Sequence, residues 1–115
     1  MYIDNESLDK IREIGGDTLV EKMVRLFLEH APKNYHLANE AKQNGDLKKL
    51  SEYAHAIKSS SGNFGAHPLF NAAEKVECLA REGKSEEAMQ AMTTFDECFQ
   101  KTIEAMNDIL DENTK

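Results

Sequence analysis

Between residues 47 and 61, the positions Leu47, Leu50, Ala54, Ile57 and Ser61 follow one another at intervals of three, four, three and four. Side chains at that spacing lie along one stripe of an α-helix, which has about 3.6 residues per turn; a strand, with its period of two, would scatter them over both faces. The stripe is apolar or small, as the seam of a helix packed into a bundle must be. His55 follows Ala54 and is turned about 100° off that seam, toward water. Its helical neighbours Ser51, Glu52, Lys58, Ser59 and Gly62 include no bulky apolar side chain. The imidazole is therefore expected to stand clear, with an ammonium one turn on.

The same period runs through the rest of the chain. Ile3, Leu8, Ile11 and Ile14 make a short amphipathic helix over 4–14, ended by Gly15-Gly16. Asp17 caps a second helix with Leu19, Val20, Met23, Leu26 (or Phe27) and His30 on one side. Pro32 bends such a helix or starts a new one, and the pattern resumes with Tyr35, Leu37, Ala38 and Ala41 before Asn44-Gly45. One long helix over 17–44, kinked near Pro32, is the expectation. Asp46 caps the helix that carries His55, and Gly62-Asn63-Phe64-Gly65 ends it. Pro68 suits the first turn of the next helix, with a seam at Leu69, Ala72 or Ala73, Val76 and Leu79 or Ala80, stopped by Gly83. Ser85 caps the last helix, which carries Ala88, Met92, Phe95, Phe99, Ile103, Met106 and Leu110; the tail 111–115 should fray.

No segment shows strict apolar alternation, so no strand is expected. Short connections make successive helices antiparallel. The predicted fold is all-α: an up-down-up-down four-helix bundle with a short extra N-terminal helix laid across one end. At 115 residues it fills one domain, 1–115, large enough for an independent core.

Composition narrows the function. A net charge of −7 disfavours nucleic acid as the main partner, because such binding relies on Lys and Arg neutralising phosphates. No run approaches the ~18 apolar residues of a membrane span, and the first residues lack the basic and apolar regions of a secretory signal. Membrane insertion is not expected. Cys78 and Cys98 are isolated in sequence and read as reduced thiols of a cytoplasmic protein. His30, His36 and His67 set no metal spacing, and HExxH, CxxC, calcium-loop and paired-carboxylate patterns are all missing, so no metal site is expected. A glycine-rich phosphate loop and the nucleotide-binding boxes of a kinase are missing too. The chain should not phosphorylate itself from ATP. Met23, Met89, Met92 and Met106 read as core filler.

The string His55, Ile57, Lys58, Ser59-Ser60-Ser61, then Phe64-Gly65-Ala66 resembles the histidine-containing phosphotransfer (HPt) domains of bacterial phosphorelays. Their motif has an aliphatic residue and a lysine just after the histidine, a small-residue run, and a Gly-Ala turn. Serine stands at 59 where the family often has glycine, and it is still small. Phe27-Leu28, Pro32, Ala41 and Gly45-Asp46 match the family's second-helix pattern, so the resemblance covers about residues 8 to 83; the last helix agrees in length and periodicity only.

An imidazole suits this chemistry, because near neutral pH much of it is unprotonated and a free ring nitrogen can attack phosphorus. The resemblance implies that His55 is phosphorylated on Nε2 by a receiver-domain aspartyl phosphate, reversibly, with Lys58 neutralising charge on the phosphoryl oxygens. Ser59 would be small so that the receiver approaches closely, and Gly62 and Gly65 would serve the helix stop and turn. The family also places a polar residue on the following helix, facing the ring, and the matching position is Glu77. As a carboxylate it could accept the Nδ1 proton and leave Nε2 as nucleophile. Many HPt domains have glutamine there, and a charged group would also raise the ring's basicity.

The implied receiver-docking face is Ser51, Glu52, His55, Ala56, Ser59 and Gly62. The implied partners are response-regulator receiver domains and a hybrid histidine kinase. The chain would need no cofactor of its own, the Mg²⁺ and catalytic aspartate residing on the receiver, and would work as a monomer. Two alternatives stay open: a helical adaptor with an inert histidine, and the phosphotransfer domain of a chemotaxis-type kinase, phosphorylated directly by an ATP-binding domain. A chain that starts with Met and ends in a polar tail without a linker favours an independent protein over the latter.

Overall fold

The structure, a computed structural model, describes residues 2–113. Helix α1 spans Asn5–Gln43, α2 Leu47–Gly62, α3 His67–Arg81 and α4 Ser85–Asn113, with no strand among the described residues. Connections of three or four residues reverse the chain each time. Each helix packs on the next, and α4 closes back on α1. This is the expected antiparallel four-helix bundle.

Helix α1 is two helices joined at a kink. Gly16 has φ 69° and ψ −168°, a backbone that only glycine adopts readily, and the helical path breaks there. A straight helix of 39 residues would be about 58 Å long at 1.5 Å per residue, more than the 44 Å long axis of the molecule. The bend at Gly16 lets residues 5–15 fold over one end as the short extra helix. Asp4 caps that helix by accepting a hydrogen bond from the Glu6 N–H at 3.0 Å, and Ile3, Leu8 and Ile11 are buried. The Asp4 N–H donates to the Phe64 carbonyl at 3.2 Å, tying the N-terminal segment to the α2–α3 turn. Gly65 in that turn has φ +61°, and a Cβ there would come within 2.5 Å of the Asp4 Cβ. The turn is thus closed over by the N-terminal segment.

The seams of α2 and α3 lie where periodicity puts them. Leu50, Ala54, Ile57 and Ser61 are fully buried on α2, as are Leu69, Ala73 and Val76 on α3. Ser61 is satisfied inside by donating its hydroxyl to the Lys58 carbonyl at 2.9 Å. Asp46 caps α2 by accepting from the Lys49 N–H at 3.1 Å. On α4, Ala88, Met92, Phe95, Phe99 and Met106 are buried, together with Thr102, whose hydroxyl donates to the Cys98 carbonyl at 2.7 Å. Tyr35 of α1 stacks on Phe99 with centroids 4.1 Å apart.

Four expectations are corrected. The inward stripe of α1 after the break is Val20, Val24, Phe27 and Ala31, while Leu26 and His30 are exposed. Ile14 is 82 % exposed, and the buried apolar side chains of the N-terminal segment are Ile3, Leu8 and Ile11. Pro32 lies inside a continuous helix, and the interior backbone departure is at Gly16 instead. Helix α4 continues through Asp111 and Glu112 to Asn113, past the point where fraying was expected; residues 114 and 115 of that tail lie outside the described residues.

Candidate functional site

His55 sits on the outer face of α2, its side chain 57 % exposed. Its inner nitrogen, Nδ1, lies 2.7 Å from Oε2 of Glu77 on α3. Glu77 is one residue beyond the Val76 seam, and its side chain is only 2 % exposed. The carboxylate thus occupies the crevice between α2 and α3, under the side chains that cover it. Lys58 reaches over from α2 to place Nζ 2.8 Å from Oε1, and Arg81, one turn after Glu77 on α3, donates from Nη2 to Oε2. The Lys58 ammonium is also 6.0 Å from the centre of the Phe70 ring.

Burial alone would raise the Glu77 pKa, but the hydrogen bonds from Lys58 and His55 outweigh it and hold the carboxyl below its ordinary value. Reciprocally, the bond to Glu77 raises the Lys58 ammonium above its usual value. Glu77 is therefore ionised and can only accept, so the imidazole donates its Nδ1–H to it. That fixes the tautomer with the lone pair on Nε2, the nitrogen away from the carboxylate.

The six residues expected on one face are brought together along α2. Glu52, His55, Ser59 and Gly62 are exposed, and Ser51 and Ala56 are half-buried at its margins. Lys58, expected beside the ring, is there, with its ammonium on Glu77. Arg81 was not picked out by sequence reasoning. Its signal was the spacing of four from Glu77, common on helix surfaces and informative only once Glu77 is known to be buried. Cys78 is exposed and Cys98 buried, both as free thiols. Among the described residues no group of three or more His, Cys, Asp or Glu is arranged to hold a metal ion, and no helix is long and apolar enough to cross a membrane.

His55 is thus an exposed imidazole held at Nδ1 by a buried carboxylate, with Nε2 on the side away from that carboxylate. A family model for the Hpt domain matches residues 22–112. The chain belongs to that family. The match runs through α4, beyond the stretch read from motifs, and leaves the N-terminal helix outside. Two proteins named phosphorelay protein LuxU, from Vibrio vulnificus strains YJ016 and CMCP6, are each 28 % identical over 93 residues, covering 81 % of this chain and 80 % of theirs. The crystal structure of histidine-containing phosphotransfer protein B (HptB) from Pseudomonas aeruginosa PAO1 matches with a TM-score of 0.88 at 22 % identity, covering 96 % of each chain; that likeness concerns the fold. The chain is a phosphorelay intermediate, and its family carries phosphoryl groups.

Proposed function

We propose that His55 is the phosphoacceptor. Its Nε2 attacks the phosphorus of a receiver-domain aspartyl phosphate; the N–P bond forms as the P–O bond to aspartate breaks, and the aspartate carboxylate leaves. The Nδ1 proton stays on the ring, hydrogen-bonded to Glu77. Onward transfer is the reverse reaction with a second receiver. The observation that carries this reading is the 2.7 Å contact from Nδ1 to a buried, ionised Glu77, which leaves Nε2 as the available nucleophile on an exposed ring.

Lys58 is one turn from the ring, close enough to exchange part of its contact with Glu77 for the phosphoryl oxygens as negative charge arrives. Ser51, Glu52, Ala56, Ser59 and Gly62 form the receiver-docking face, where small side chains let the partner approach the ring. Such a patch suits a transient encounter, as a relay requires. In this reading the Mg²⁺ and the acidic groups that bind it belong to the receiver. The chain acts as a cytoplasmic monomer between a hybrid histidine kinase and a response regulator, without kinase activity of its own.

The test is incubation with a phosphorylated receiver domain. Label should appear on the unsubstituted chain in acid-labile, alkali-stable form and be absent from His55→Gln, whose helical content is unchanged. Equal labelling of His55→Gln would refute the assignment.

A further inference from the structure

A carboxylate against an imidazole acts in two ways. It orients the Nδ1–H, and its negative charge favours the imidazolium, in which Nε2 carries a proton and has no lone pair with which to attack. Glu77 is 2 % exposed, so water screens its charge poorly, and it faces His55 at 2.7 Å. The second effect would work against phosphoryl uptake near neutral pH.

We propose that Arg81 is a positioning residue that offsets this effect: its guanidinium shares Oε2 with the His55 Nδ1–H, so that Glu77 holds the ring in place without drawing a proton onto Nε2. The inference rests on the assignment of His55 above. Three observations carry it. Arg81 donates to the same oxygen as His55, not to Oε1. The second cation, Lys58, is on the other oxygen; in the transfer proposed above it turns toward the phosphoryl group, and its compensation of Glu77 then weakens. Arg81 is one turn along α3 from Glu77, on the same helix as the carboxylate it bonds, whereas Lys58 reaches that carboxylate from α2. Arg81 therefore remains as the counter-ion when Lys58 shifts. The titratable and charged groups of this cluster are Lys58 on α2 and Glu74, Glu77, Cys78 and Arg81 on α3, with Glu52 one turn before His55 on α2. Helix α1, also packed on α2, contributes no ion pair or hydrogen bond to the side chains of His55, Lys58, Glu77 or Arg81 among the described residues.

The test compares the full chain with Arg81→Gln and Arg81→Lys. The His55 ring is titrated by NMR, and uptake from a small phosphoramidate donor, which transfers its phosphoryl group to the ring and releases ammonia, is followed from pH 6 to 8.5. In Arg81→Gln the titration midpoint should lie higher than in the unsubstituted chain. Uptake at pH 6.5 should fall about threefold or more, the gap closing toward pH 8.5. Arg81→Lys, which keeps the charge, should restore most of both. An unmoved midpoint in Arg81→Gln, an equal shift in Arg81→Lys, or an uptake loss of the same size at every pH would overturn the proposal. Failure of the unsubstituted chain to take up phosphate would count against His55 as acceptor, and the titration would still decide the role of Arg81. Arg81 is 66 % exposed, so neither variant endangers the fold.

Discussion

Nδ1 of His55 on α2 lies 2.7 Å from Oε2 of Glu77 on α3, joining an exposed ring to a carboxylate that water barely reaches. The pair ties orientation of the His55 ring to the packing of two helices. In the function proposed, the packing of α2 on α3 is part of the chemistry, since the ring is held by a residue 22 positions away.

Glu77→Gln keeps a carbonyl oxygen that accepts from Nδ1, so phosphoryl uptake should persist within about tenfold of the original rate. Glu77→Ala removes the acceptor and leaves Lys58 and Arg81 without their shared partner. Uptake should fall by about a hundredfold, with a stability loss of about 1–3 kcal/mol. Transfer kinetics and urea denaturation of the two variants check both statements.

The ion cluster also predicts how stability follows pH. The Glu77 pKa is lowered on folding, so its contribution is full above the ordinary carboxylate range and is lost as pH falls through the lowered value. The Lys58 pKa is raised, so its contribution is full below the ordinary lysine value and is lost as pH rises through the raised one. Denaturation midpoints should therefore decline at both ends. Glu77→Gln should flatten both declines, which midpoints measured from pH 3 to 11.5 would show.

Two glycines near the site should respond oppositely to alanine. Gly65 has φ +61°, and its Cβ would press on Asp4 and Ser7; Gly65→Ala should cost about 1–3 kcal/mol and release the N-terminal segment, seen as faster amide exchange at Asp4. Gly62 is the last residue of α2, and a Cβ there would make an ordinary 3.6 Å contact with the Phe70 ring. Gly62→Ala should leave stability unchanged or raise it by about 0.5–1 kcal/mol, while slowing transfer from a receiver because the docking face is no longer flat. A shared loss of stability would contradict this division.

Much of the bundle was legible because its middle helices are clean amphipaths. Leu50, Ala54, Ile57 and Ser61 on α2, and Leu69, Ala73 and Val76 on α3, stand at unambiguous spacing between strong stop signals. Helix α1 was harder to orient. Leu19, Met23, Leu26 and Leu28 spread apolar character around its circumference, so periodicity did not distinguish the Val24–Ala31 face from the Leu26–His30 face. The face turned inward carries Ala31, Ala38 and Ala41 together with Val20, Val24 and Phe27, all buried. Pro32 predicts a kink because a proline removes one backbone bond, yet the backbone stays helical through it. At the site, the motif in residues 54–66 carries His55 and Lys58, and Glu77 follows from the family's polar position on the next helix. The burial of Glu77, and with it the meaning of Arg81, depends on how α3 meets α2, which no local pattern encodes.

The most direct measurement is NMR of the phosphorylated chain labelled with ¹⁵N at histidine, reading which nitrogen is coupled to phosphorus. A coupling to Nε2 of His55, with Nδ1 still protonated and bonded to Glu77, is the result predicted. Phosphorus on Nδ1 of His55, or on His30, His36 or His67, would contradict the account.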